Sequence, residues 1–308
     1  MKTIELPGLK QGVTQLIMGS DYFAPEVYET VQTNLDAFTA IGGNTIDTAY
    51  IYYGGKSEQA IGMWLEERGN RDQMNIWTKG AHPNKDGSRV SKAAIAEELE
   101  ISLERLRTSY VDLYALHRDD LNVPVGEILE WLNEHVEAGR ILTFGASNWT
   151  TARLAEANAY AKANGLRGFS FSSPNLSLAK AQEPYWADCI SIDEESLAWH
   201  EESGLPILSW SSQARGFFTG RFTKEDRSDA DLVRVFYNDA NWERYARAEQ
   251  LAKQKGVTTI QIALAYVLNQ AFPTSAIIGP RNQAEMESCK EATELTLTQE
   301  EVQWLDLR

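Results

Sequence analysis

Only two cysteines, Cys189 and Cys289, occur in 308 residues. Neither belongs to a CxxC pair, and with four histidines the chain lacks the clustered ligands of a zinc site, so no metal is expected. Bases are scarce as well: 29 Lys and Arg stand against 44 Asp and Glu, a net charge of −15. That sign argues against a nucleic-acid partner, whose phosphates demand Lys and Arg. It also means that any anionic ligand has to be held by local bases and backbone N–H groups against the overall field. Long apolar runs are missing. Nothing approaches the roughly 20 residues that span a bilayer, and Met1 to Pro7 holds no stretch of the kind a signal peptide needs. The expectation is a cytoplasmic protein with no membrane partner, in which the sequons at Asn148-Trp149-Thr150 and Asn175-Leu176-Ser177 are chance matches. A GxGxxG turn is absent too, which argues against an open doubly wound dinucleotide fold.

What is present is an ordinary globular balance, 43% hydrophobic and 24% charged, arranged as a long alternation of short β-type runs and longer helical runs. The β-type runs are Val13 to Gly19, Asn44 to Ala49, Met74 to Lys79, Val111 to His117, Ile141 to Ser147, Phe169 to Ser173, Pro206 to Ser211 and Ser275 to Gly279. Eight such units without a linker predict an α/β fold: one closed (β/α)₈ TIM barrel occupying residues 1–308. Met1 to Lys10, with Pro7-Gly8 at a turn, reads as a short N-terminal hairpin at the barrel's bottom. Two long connections, Asn175 to Asp193 and Gln213 to Asn238, follow strands and are expected on the active face.

Functional side chains of a barrel sit at the C-terminal ends of its strands. Asp47 lies near the end of the second run with Tyr52 five residues on, Lys79 ends the third, His117 the fourth, and Ser147-Asn148 follow the fifth. Singly, such an Asp caps a helix, such a Lys is solvated and such a His is a packed core residue. Together they place an acid, a phenol, an amine and an imidazole at one rim.

Around these residues the sequence resembles a known family. Asp47-Thr48-Ala49-Tyr50-Ile51-Tyr52 with Gly55-Lys56-Ser57-Glu58, Ile76-Trp77-Thr78-Lys79, Leu113-Tyr114-Ala115-Leu116-His117, Gly145-Ala146-Ser147-Asn148, Trp210-Ser211 with Arg215 to Arg221, and Ile277-Ile278-Gly279-Pro280-Arg281 follow in order the signatures of the aldo-keto reductases. The resemblance implies hydride transfer between a nicotinamide cofactor, NADP or alternatively NAD, and a small carbonyl or alcohol. In that scheme Tyr52 is the general acid, Lys79 lowers its pKa, Asp47 holds Lys79, and His117 donates a hydrogen bond to the carbonyl oxygen. Tyr50 and Tyr53 are rivals for the acid, and the family spacing selects Tyr52.

The same resemblance puts Asn148 and Ser147 on the nicotinamide carboxamide and Trp210 against the ring, where many relatives carry Tyr. Ser211, Gln213 and Gly216 fall on the pyrophosphate and Arg281 on a 2′-phosphate, with Gly19, Ser20, Asp47, Ser173 and Gly279 lining the remainder. Ser173 stands where a Gln is expected, and Glu285 and Cys289 stand where relatives carry Gln or Arg and Asn near the adenosine; Glu285 opposes a 2′-phosphate. For the substrate, Tyr22, Phe23, Tyr53, Arg118, Asp119, Trp149 and Trp186 are expected around the mouth. Aromatic faces with paired charges suggest a sugar or keto-sugar, unless Arg118 and Asp119 merely form a solvated pair. Two other readings stay open: a cofactor-binding regulatory subunit of the kind found on potassium channels, and a barrel lyase or aldolase using Lys79 as a Schiff base, which Asp47 and the Trp210 loop disfavour.

Overall fold

The computed structural model describes residues 1–308. Its strands are β1 (Thr3–Ile4), β2 (Val13–Thr14), β3 (Leu16–Gly19), β4 (Thr45–Asp47), β5 (Asn75–Gly80), β6 (Val111–Leu116), β7 (Ile141–Ser147), β8 (Ser172–Ser173), β9 (Ile207–Ser209) and β10 (Thr274–Ile278). The last eight pair in parallel, and β10 pairs with both β9 and β3, which closes the predicted eight-stranded barrel.

The surrounding helices are α1 (Tyr28–Ala40), α2 (Lys56–Arg68), α3 (Lys92–Arg105), α4 (Val125–Glu137), α5 (Thr151–Asn164), α6 (Glu194–Ser203), α7 (Ala230–Phe236), α8 (Asp239–Lys255), α9 (Thr259–Leu268), α10 (Gln283–Ala292) and α11 (Gln299–Leu305). Local chemistry sets their ends. The Ser91 hydroxyl caps α3 by accepting from Ala94 N at 3.2 Å, and Gly165 stops α5 in the left-handed region at φ 67°. Val125, Ile128, Leu129 and Leu132 recur at helical spacing along α4 and are buried. Gly62 permits a close crossing: a Cβ there would lie 2.3 Å from the Arg105 carbonyl oxygen at the end of α3.

Two hydrophobic clusters result. The larger lies between the strands and the helices. The smaller fills the barrel's floor with Ile17, Trp77, Leu113, Phe171 and Leu208, and Ile4 and Leu6 of the N-terminal segment join it from below. Each fully buried side chain of this size contributes about 1.5–3 kcal/mol.

Two expectations need correction. The run Val13 to Gly19 is not one strand. The chain breaks at Gln15, where Thr14 turns its hydroxyl onto Leu16 O at 2.8 Å; β2 pairs antiparallel with β1, through Ile4↔Val13, and only β3 enters the barrel. The hairpin therefore extends beyond Lys10 and is made with residues first assigned to the barrel. Phe169 to Ser173 is reduced to Ser172–Ser173, because Phe169 and Phe171 pack into the core and only the two serines keep ladder partners, in β7 and β9.

Candidate active site

The segment after β4 is tied to β5 by backbone bonds, Thr48 N to Trp77 O at 2.8 Å and Tyr50 N to Lys79 O at 2.9 Å. It then turns through a short 3₁₀ segment, Tyr52–Gly55, into α2. Glu58, fully buried, anchors that turn. Its carboxylate accepts from the Thr78 hydroxyl at 2.6 Å and pairs with Arg105 at 3.1 Å, while Arg105 also donates to Tyr50 O at 2.9 Å. Ser57 bonds the hydroxyls of Ser20 (2.6 Å) and Thr48 (2.8 Å). Tyr52 is thereby held over Lys79 by groups that the sequence gives no reason to connect.

At the mouth, Lys79 Nζ forms an ion pair with Asp47 and donates to Thr48 O at 2.9 Å and to Tyr52 Oη at 3.2 Å. All three donors of the ammonium are engaged. An amine so held has no lone pair to present, which removes the observation a Schiff-base reading needs. The His117 ring meets Tyr52 edge-on, with centroids 5.7 Å apart. Its Nδ1 is sealed without a partner, whereas Nε2 opens to the cleft. A neutral ring in that position carries its proton on Nε2, since a sealed N–H without an acceptor is costly.

Burial governs the acid–base character of this group. It pushes Asp47 up to about 6 against the opposing pull of Lys79, and it holds Lys79 below the ordinary lysine value. His117 lies well below the usual histidine value, through burial first and then the charges of Lys79 and Arg118, so it is neutral. Tyr52 departs from expectation. Its phenol is pushed well above the ordinary value by burial first and then by the carboxylates of Asp47 and Asp21, against a smaller lowering by the Arg118 charge. Tyr52 therefore keeps its proton through the neutral range.

A stability consequence follows. His82, His117, His135 and His200 all lie below the ordinary histidine value because of burial. As pH falls through about 6.5, the unfolded chain gains protons that the folded one refuses, so stability falls. Asp47 acts in the opposite sense only below about pH 6, where the folded carboxyl takes its proton first. The urea midpoint is expected to be lower at pH 6.2 than at pH 7.5; an unchanged or higher midpoint would contradict buried neutral histidines.

Beside this group lies a second strip. Asn148, in the left-handed region at φ 60°, accepts from Trp210 Nε1 at 3.2 Å and from Ile190 N at 3.1 Å, and donates to Ser147 Oγ at 3.0 Å. Its amide is thus engaged in placing Trp210 and does not stand free for a carboxamide. Ser147 Oγ donates to Ser173 O at 3.0 Å, and the Ser173 hydroxyl is sealed without a partner. Ser211, Ala214, Arg215 and Gly216 all have positive φ, 46° to 87°, in the loop leaving Trp210. Ala214 N and Gly216 N close the loop on Ser211 O at 2.9 Å and Gln213 O at 3.0 Å, while the N–H groups of Ser212 and Gln213 meet no acceptor in the protein and suit an anion. Gln213 is half-buried there and takes the Cys289 thiol at 3.8 Å. Arg281 is exposed at the start of α10, and its backbone N–H donates to Glu285 at 2.9 Å. The Trp210 face, the positive-φ run and Arg281 fit a dinucleotide.

Other expected residues are placed differently. The Ser20 hydroxyl is fully buried and donates to Asp47 O at 2.7 Å, and Gly19 is wedged 2.9 Å, by its absent Cβ, from Ile277. Gly279 is exposed beside Tyr22, whose hydroxyl donates to Pro280 O at 2.8 Å. Phe23 and Trp149 belong to the core, because each meets aromatic neighbours there: Tyr22 at 4.9 Å and Phe169 at 4.9 Å. Arg118 and Asp119 form no solvated pair. Arg118 is buried, and Asp119 turns to Arg153 at 3.1 Å. Tyr53 and Trp186 are exposed, and Trp186 lies 5.7 Å from Trp210, centroid to centroid. A group the sequence reading missed, His82, stands edge-on to His117 at 4.9 Å; nothing in its own segment signals that contact.

Comparison with known proteins bears on the whole chain. The model of the aldo/keto reductase family matches residues 15–307. Norsolorinic acid reductase A of Aspergillus parasiticus is 30% identical over 285 residues, 88% of this chain and 69% of that protein. An aldo-keto reductase of Bacillus subtilis is 31% identical over 284 residues, 89% of this chain and 80% of that one. The glycerol dehydrogenase of Gluconobacter oxydans shares the fold, with a TM-score of 0.79 at 24% identity over 99% of this chain and 94% of that chain. No helix is long and apolar enough to cross a membrane. With an ordered match that spans nearly all of the barrel and the phenol, amine, acid and imidazole gathered at its mouth, the chain belongs to the aldo/keto reductase family of oxidoreductases.

Proposed function

We propose that this protein transfers hydride between NADP(H) and the carbonyl or alcohol carbon of a small polar substrate, of the sugar or keto-sugar kind. The observation that carries the reading is Lys79 Nζ, which joins Asp47 to the Tyr52 phenol beside a neutral imidazole. Bound NADPH supplies the hydride. Trp210 offers the face for the nicotinamide, the free N–H groups of Ser212 and Gln213 in the loop after it offer donors to the pyrophosphate, and Arg281 offers charge to the 2′-phosphate. His117 Nε2–H orients and polarises the carbonyl oxygen, and Tyr52 gives it a proton. The Tyr52 phenol keeps its proton at neutral pH and is the donor nearest the place where the carbonyl oxygen would lie. The test is a panel of sugar-type and apolar carbonyls with NADPH and NADH, followed by loss of nicotinamide absorbance; no oxidation of either cofactor with any carbonyl would refute the reading.

Cofactor choice has its own test. Arg281→Ala is expected to weaken NADPH binding by about 1.5–3 kcal/mol, the worth of a charged hydrogen bond, and to affect NADH far less. Equal losses for the two cofactors would show that Arg281 does not meet the 2′-phosphate.

A further inference from the structure

Three lysine or arginine side chains are buried in this protein: Lys79, Arg118 and Arg153. Lys79 is paired with Asp47 and Arg153 with Asp119. Arg118 has no carboxylate within ion-pair reach. Its contacts are all neutral: Nη1 donates to His117 O at 2.8 Å, and Nη2 donates to Ala187 O at 3.4 Å and Cys189 Sγ at 3.2 Å. Cys189 does not supply the missing charge, since burial pushes its thiol up and keeps it protonated. An isolated buried cation is costly unless something of opposite charge meets it.

The position of this cation gives it meaning. Arg118 directly follows His117 at the end of β6, and its guanidinium reaches the loop that carries Trp186 over Trp210. Its charge is felt by Tyr52, His82 and His117. The Nε–H has no acceptor in the protein and is not sealed. The adjacent acid, Asp119, is turned away to Arg153. The nearest charged pair, Lys79 with Asp47, is neutral as a unit, and the carboxylates of Asp21 and Asp188, whose fields reach Tyr52 and Cys189, form no ion pair with Arg118.

We propose that Arg118 anchors an oxyanion on the substrate, so that the cleft prefers carbonyl compounds bearing a carboxylate or phosphate, such as sugar acids and oxo acids, to their neutral counterparts. This rests on the reading that the site reduces carbonyls, and it narrows the substrate class. The guanidinium is held planar and in place by three neutral acceptors, so little ordering remains when an anion arrives.

The experiment has a turnover arm and a binding arm. Turnover compares kcat/KM for D-glucuronate with D-glucose, 4-oxobutanoate with butanal, and glyceraldehyde 3-phosphate with glyceraldehyde. The anionic member of at least one pair is expected to lead by about 10-fold or more, and Arg118→Met to lower that lead by about 10- to 100-fold. Arg118→Lys, which keeps the charge, is expected to restore part of it. Which pair leads tells carboxylate from phosphate. Binding titrates D-gluconate and the neutral polyol sorbitol by calorimetry, with gluconate expected to bind the wild type more tightly than it binds Arg118→Met. The proposal is overturned if neutral and anionic members are used equally by the wild type and gluconate binds no better than sorbitol. It is also overturned if Arg118→Met lowers both members of each pair alike, the mark of a purely structural arginine. Gluconate binding that depends on Arg118, with no carbonyl turned over, would uphold the anchor and refute the reductase reading.

Discussion

Tyr52→Phe is expected to lower carbonyl reduction by about 10²- to 10⁴-fold, the usual worth of a positioned general acid. The variant keeps the ring that packs against Lys79 and His117 and loses only the hydroxyl at 3.2 Å from Lys79 Nζ. Cofactor affinity, measured by fluorescence titration, is expected to stay near the wild-type value. The neighbouring phenols are poor substitutes. Tyr50 has its ring under the Arg105 guanidinium, 4.7 Å from centroid to carbon, and Tyr53 is exposed beside Lys56. Near-normal turnover in Tyr52→Phe, with activity lost in Tyr50→Phe or Tyr53→Phe, would move the acid elsewhere.

Lys79→Met is expected to abolish measurable turnover and also to destabilise the fold by about 3–5 kcal/mol, because it strands Asp47 at 2% exposure without its partner. The stranded carboxyl answers by taking a proton. Its folded pKa, already raised to about 6, rises further above the unfolded value. A group with a raised carboxyl pKa costs stability when ionised, so this variant is expected to regain stability as pH falls from 8 towards 6, where the wild type loses it. The double variant Asp47→Asn/Lys79→Met is expected to be more stable than the sum of its single changes predicts, since no charge is left alone. Urea unfolding of the four proteins at two pH values checks this. Additive losses would mean that the two side chains do not act as a buried pair.

The barrel and the rim positions of Asp47, Lys79 and His117 were legible because each rests on a short local pattern, whereas Tyr52 was singled out from Tyr50 and Tyr53 only by the family spacing. An apolar β-type run ending in a chemical side chain puts that side chain at the rim, whatever the distant chain does. Side chains whose place depends on a remote partner were not legible. Glu58 and Arg105 lie on different helices and meet only once α2 and α3 pack across Gly62. Asp119 reads as a mouth residue until Arg153, on α5 beyond the next strand, draws it away. Trp149 follows the fifth barrel strand as a ligand-lining aromatic would, yet Phe169 supplies a core contact that wins. The direction of the Tyr52 shift failed for a related reason: the sequence places an ammonium near the phenol but does not reveal how deeply the phenol is sunk or that the carboxylates of Asp47 and Asp21 face it as well.

The pairing of β10 with β3 leaves the parallel sheet without an edge. Exposed strand edges are the templates on which chains join into aggregates. Here the unpaired strand edges belong to β1 and β2, two residues each, lying against the barrel's floor. Self-association through strands therefore has to wait for the barrel to open. Shelf life is expected to follow how often the ladder opens, and its thinnest seam is β8 with β9, joined through Ser172↔Ile207 alone.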